Sequence, residues 1–187
     1  MRIPPRGPGQ VRIGIAIAVP EPYASQLQDA RSRFEDPLAQ AIPPHITVIG
    51  PTVVDRADMP TVGEHLRKVA DEMPPFRVHL RGTGTFRPVS PVVFMTLAEG
   101  IAECELLEQQ TRSGVLAQEL RFNYHPHVTI AHEVPEPALD RAFDEMAGYE
   151  AVFEVTEIWQ YEHGDDGVWR PQRPFTLRGR KQMLRPS

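Results

Sequence analysis

Two of the seven histidines in this chain sit in one repeated pattern. His45-Ile46-Thr47-Val48 and His127-Val128-Thr129-Ile130 both read His, apolar, Thr, apolar, and each follows a proline, Pro44 and Pro126. Composition predicts on the order of 0.06 such tetrapeptides per chain, so two copies are a signal rather than an accident. Apolar residues at every second position mark a half-buried strand. Its His and Thr then share a face, about 6–7 Å apart at Cα. Two such strands side by side present two imidazoles and two hydroxyls to one small object, and a phosphate suits that set. In-line cleavage of a phosphodiester needs one group to take a proton from the nucleophile and another, opposite, to give one to the leaving oxygen. Imidazoles titrate close to neutrality and can do both. Threonine hydroxyls donate to the non-bridging oxygens where charge grows. No metal or other cofactor is required by such a set.

Other candidates are less specific. Arg87, in the turn after Phe86, has the fork that binds a phosphate bidentately, and it equally suits a solvated turn. Tyr124, Tyr161 and Trp169 offer π-faces for a base, although buried aromatics in a sheet core are commoner. His125, His127 and His132 form an H-x-H pair with a third imidazole, the ligand types of a zinc hydrolase. That alternative leaves the first motif unexplained and puts Pro126 between two ligands. A module that binds a nucleotide or RNA end without turning it over is the other alternative, and the intact motifs argue against it. His65, His79, His132 and His163 read as surface or structural residues. Cys104 lies between Glu103 and Glu105, which oppose thiolate formation and make it a poor nucleophile.

The elements that must position these residues follow from periodicity and breakers. Strands are predicted at Val11–Val19, at the first motif up to Gly50-Pro51, at Pro75–Phe86, Pro91–Leu97, Val128–Ala131, Ala151–Tyr161 and Trp169–Leu177. Helices are predicted over Tyr23–Phe34, Asp58–Glu72, Ile101–Leu120 and Ala138–Met146. The motifs stand about half a chain apart, and strands and helices recur in each half. This predicts an α+β fold, bilobed and pseudo-symmetric, with two antiparallel sheets forming a central cleft and helices packed outside. One two-lobed domain over residues 11–178 is expected between a flexible arm, residues 1–10, and a basic tail, residues 179–187.

The chain has 187 residues, 41% hydrophobic and 24% charged, as in a soluble globular protein. Its net charge of −5 excludes bulk binding of duplex nucleic acid. The segment from 167 to 187 nevertheless carries six Lys or Arg and no acid, which suits a local attraction for a small anion or an RNA end and equally a charged tail that keeps the protein soluble. No apolar run approaches the ~18 residues that cross a membrane. The arm lacks the apolar core of a signal peptide, and a single cysteine fits a reducing cytoplasm. A cytoplasmic monomer is the expectation.

With its proline-led His-x-Thr-x motifs at this spacing, the chain resembles the two-histidine phosphoesterase superfamily, and within it the bacterial 2′-5′ RNA ligase and RNA 2′,3′-cyclic phosphodiesterase branch. The resemblance covers roughly residues 11–178. It implies metal-independent opening of a 2′,3′-cyclic phosphate on a nucleotide or RNA end to a 2′-phosphate, or the reverse joining reaction. It further implies that His45 and His127 are the general acid and base, in an order left open, with Thr47 and Thr129 on the phosphate oxygens.

Overall fold

Residues 3–180 are described in a computed structural model; Lys181 and Arg185 of the basic tail lie outside them. In chain order the elements are β1 (Gln10–Ala18), α1 (Tyr23–Arg33), β2 (His45–Asp55), α2 (Met59–Glu72), β3 (Phe76–Thr85), β4 (Val92–Glu99), α3 (Ile101–Thr111), β5 (Val128–His132), α4 (Glu136–Glu145), β6 (Glu150–Val155), β7 (Glu157–His163) and β8 (Trp169–Thr176). The α+β class is as read from the sequence. The sheet differs in one respect: the eight strands form one sheet, ordered β6-β3-β4-β5-β2-β1-β7-β8, rather than two. The two four-stranded halves meet where β2 pairs antiparallel with β5 through Ile46 and Val128.

Three local expectations change. The stretch Ala151–Tyr161, read as one strand, is two. β6 pairs with β3 at one end of the sheet and β7 pairs with β1 in the other half, so the chain changes halves at Thr156. The buried positions change phase there, from Ala151, Phe153 and Val155 to Ile158 and Gln160, with Thr156 and Glu157 adjacent polar residues at the break. The helix expected over Ile101–Leu120 ends at Thr111, where Ser113 and Gly114 (φ 55°) turn the chain out. A left-handed residue is cheap only for glycine and stops a helix. Finally, β2 does not close at Gly50-Pro51 but continues to Asp55, because two bulges against β1 absorb the residues that cannot pair regularly.

The helices lock the halves together by exchange. α1, which leads to the first motif strand, packs on β5; α3, which precedes the second, packs on β2. The main core is continuous across both, with Ile46, Val128 and Ile130 fully buried beneath the junction. Arm residues 3–9 touch the body: the Pro4 carbonyl accepts from Arg12 Nε at 2.8 Å, and Arg6 pairs with Asp165.

Candidate active site

The junction of the halves sets the geometry. With Ile46 opposite Val128, the antiparallel register puts His45 across from Thr129 and Thr47 across from His127. Cross-strand neighbours lie about 4.5–5.5 Å apart at Cβ. The four side chains thus mark a rectangle with the imidazoles on one diagonal and the hydroxyls on the other, all on the face opposite the buried Ile46 and Val128. The repeated tetrapeptide has become a near two-fold site.

Both rings are oriented in the same way. His45 Nδ1 bonds the Pro43 carbonyl at 2.8 Å, and His127 Nδ1 bonds the His125 carbonyl at 2.7 Å. A carbonyl only accepts, so each Nδ1 carries the proton and each Nε2 is left for the cleft. The proline before each histidine explains the repeat of this contact: it holds the residue ahead of it extended, which lays that residue's carbonyl beside the ring. Desolvation pushes His45 down to about 4, with the charges of Arg31 and His127 acting in the same direction. His127 is also lowered, first by desolvation and then by His125. Among the described residues, neither Thr47 nor Thr129 spends its hydroxyl on a hydrogen bond within the protein.

The surroundings of the two histidines differ. His127 stands edge-on to Phe86 (5.0 Å, 87°), tilts against Phe94 at 5.0 Å and stacks with His125 at 6.2 Å. Gly84 makes room for this, because a Cβ there would lie 2.6 Å from Phe94. Beyond His127 opens a groove of about 700 Å³, edged by Val89, Leu120, Arg121 and Phe122. Val89 is 76% and Phe122 62% exposed. His45 instead borders a small nook of about 30 Å³ closed by Ile42, Tyr161 and Trp169. A third hollow, about 320 Å³, touches both histidines and both threonines and ends at Arg31, Leu38 and His132.

The remaining candidates sort out as follows. Arg87 does not join the rectangle: its Nη1 donates to Glu136 at 2.6 Å and Asp140 at 2.7 Å, tying the β3–β4 turn to α4. Tyr124 lines the groove, but its hydroxyl donates to the Thr47 carbonyl at 2.9 Å and holds β2. Tyr161 and Trp169 are buried beside the nook rather than open to stacking. His125, His127 and His132 are not gathered as a ligand set, and among the described residues no three His, Cys, Asp or Glu side chains are. His65 bonds the Thr111 carbonyl, His79 pairs with Glu150, and His163 accepts from Arg12. Cys104 is buried and pushed up to about 12 by burial and its two flanking glutamates, as its neighbours indicated.

Sequence reasoning missed two residues of the cleft. Strand alternation puts His132 on the face opposite Thr129. A bulge at Ile130, where Phe94 pairs with Thr129 but Val93 with Ala131, turns His132 back to the cleft. Arg31 was missed although a signal existed. It falls on the i, i+3, i+4, i+7 stripe Leu27, Ala30, Arg31, Phe34, a charge on the buried face of α1.

The family described as the 2′-5′ RNA ligase superfamily matches residues 19–167. The chain belongs to that superfamily. Superfamily relatives include a protein of Bacillus licheniformis named "Putative phosphoesterase", 31% identical over 82% of this chain and 94% of its own. Another of that name, from Geobacillus kaustophilus, is 26% identical over 92% of this chain and 100% of its own. The fold is shared with the crystal structure of E. coli LigT in apo form: TM-score 0.63, 18% identity, 90% of this chain and 98% of that one. Superfamily membership and fold together make this a two-histidine phosphoesterase by class. No helix among the described residues is long and apolar enough to cross a membrane.

Proposed function

We propose that the protein is a metal-independent phosphodiesterase that opens a 2′,3′-cyclic phosphate on a nucleotide or RNA end to a 2′-phosphate. The observation that carries this reading is the rectangle at the β2–β5 junction, where two Nδ1-anchored imidazoles lie diagonally across two unengaged hydroxyls. A phosphoryl group centred there has a histidine on either side along the line of attack. One imidazole takes a proton from water as its oxygen bonds to phosphorus. The P–O3′ bond breaks, and the other imidazolium protonates O3′, leaving the phosphate on O2′. Thr47 and Thr129 donate to the non-bridging oxygens as charge builds on them. With a 5′-hydroxyl in place of water, the same steps join two ends through a 2′-5′ linkage. No step asks for a metal ion.

The groove beyond His127 suits the nucleoside, since its exposed Phe122 and apolar edge offer a face for a base. E. coli LigT has been solved with 3′-AMP, ATP and NADP+, and small nucleotides are the ligands proposed here. The test is incubation of purified protein with 2′,3′-cyclic AMP and a short RNA ending in a cyclic phosphate, before and after chelation. A 2′-phosphate product at equal rates is expected. Loss of activity on chelation, restored by zinc, would refute the mechanism.

A further inference from the structure

The end of the cleft beside His45 is closed by a buried guanidinium. Arg31 is 3% exposed. Its Nε donates to Asp36 Oδ2 at 3.1 Å and its Nη1 to the Ile42 carbonyl at 2.8 Å. The Asp36 carboxylate is itself fully buried, and its other oxygen accepts from the Leu38 N–H at 2.9 Å. Among the described residues Arg31 Nη2 has no hydrogen-bond partner. A buried ion pair is seldom the most stabilising choice for such a place, because apolar residues of similar volume hold a helix to a sheet at least as well. What distinguishes this place is its neighbour, the hollow of about 320 Å³ that Arg31 shares with His45, Thr47, His127 and Thr129.

We propose that Arg31 is a phosphate-binding residue of this site, donating from Nη2 to a non-bridging oxygen of the substrate from the closed end of the cleft. The inference rests on the phosphodiesterase reading above and adds what the four motif residues lack. Their hydroxyls are neutral, and both imidazoles are held toward the neutral form in the free protein. The quartet by itself therefore meets an anionic diester with no fixed positive charge. A guanidinium is charged at any working pH. Asp36 and Ile42 hold its plane, so the remaining edge is already oriented when the anion arrives. The same charge opposes a proton on His45 in the empty cleft. A bound phosphate between them offsets that repulsion and favours an imidazolium in the complex. Asp36, His132 and Glu133 are the other titratable groups at this end, and His127 faces His45 across the rectangle.

The experiment measures inorganic phosphate binding by calorimetry, and kcat and KM for 2′,3′-cyclic AMP, on the full chain. The proteins are wild type, Arg31→Lys and the double variant Arg31→Met/Asp36→Asn. The double variant removes both charges, because Arg31→Met alone leaves Asp36 buried and unpaired and threatens the fold. Phosphate Kd and KM are expected to rise about 10- to 100-fold in the double variant, the worth of one charge-assisted hydrogen bond. Arg31→Lys, which keeps the charge without the fork, should fall between and holds the test open if the double variant does not fold. A folded variant matching wild type in both Kd and KM would overturn the inference. Phosphate affinity that depends on Arg31 in a protein that turns over no cyclic phosphate would overturn the proposed reaction instead and leave this inference standing.

Discussion

The two copies of the motif share one pattern, His, apolar, Thr, apolar, and are unequal in setting. His127 leans on Phe86 and Phe94, stacks with an exposed His125 and looks into an open groove. His45 stands between a nook shut by Trp169 and Tyr161 and a hollow that ends at the Arg31–Asp36 pair. In the proposed function the tetrapeptide delivers the chemistry, and what packs around each copy decides which side would meet the phosphate's charge and which the rest of the substrate. The α1/α3 exchange produces the difference, because the helix that leads to the first motif carries Arg31 under the second motif's strand and back to His45.

The largest effects should come from the imidazoles. His45→Ala and His127→Ala are each expected to lower kcat about 10²–10⁴-fold, with melting temperatures close to wild type because both rings line the cleft. Near-native turnover by either folded variant would break the equivalence of the copies.

The pH profile sharpens the comparison. kcat/KM reports the free protein, where burial lowers both histidines, His45 to about 4. The productive form has one ring protonated and one neutral. Both limbs of the bell should therefore lie below the ordinary histidine value of about 6.5, giving an acidic optimum. In kcat, which reports the complex, the bound anion favours imidazolium and both limbs move to higher pH. Loss of the acidic limb in one histidine variant and of the alkaline limb in the other assigns base and acid. A rate rising to a plateau in all three proteins would remove the paired mechanism.

The groove should matter on one side alone. Phe122→Ala is expected to raise KM for an RNA end by about 1–3 kcal/mol, the worth of one stacked base, with kcat unchanged. Equal KM values for wild type and variant would show that the open side does not hold a base. The smallest effects belong to the hydroxyls. Thr47→Val and Thr129→Val should each cost about 1–2 kcal/mol in kcat/KM, and by similar amounts, since the register places them at equivalent corners. A loss confined to one would show that the rectangle is not used symmetrically.

The four rectangle residues were legible because a period-2 pattern places His and Thr on one face without reference to anything distant. Most helix and strand positions were legible for the same reason, since prolines, glycines and apolar periodicity are local. Arg87 was misplaced because a turn arginine is free in sequence, and only folding brings Glu136 and Asp140 of α4 beside it. The break at Thr156 was missed although a local signal existed, the adjacent polar Thr156 and Glu157 that shift the buried phase; that β6 and β7 pair in different halves of the sheet is decided only by distant strands.

By itself, then, the sequence determined the candidate reactive groups, their shared face and the carbonyl that each proline lays beside its histidine, all set within a few residues, and the α+β class from the order of its elements. Only the tertiary structure decided the Ile46–Val128 register that puts the imidazoles on a diagonal, the bulge that turns His132 inward and the exchange that buries Arg31 beside His45. Those depend on which distant backbones pair and which faces are buried together, and hydrogen bonding and burial between segments far apart in the chain settle them.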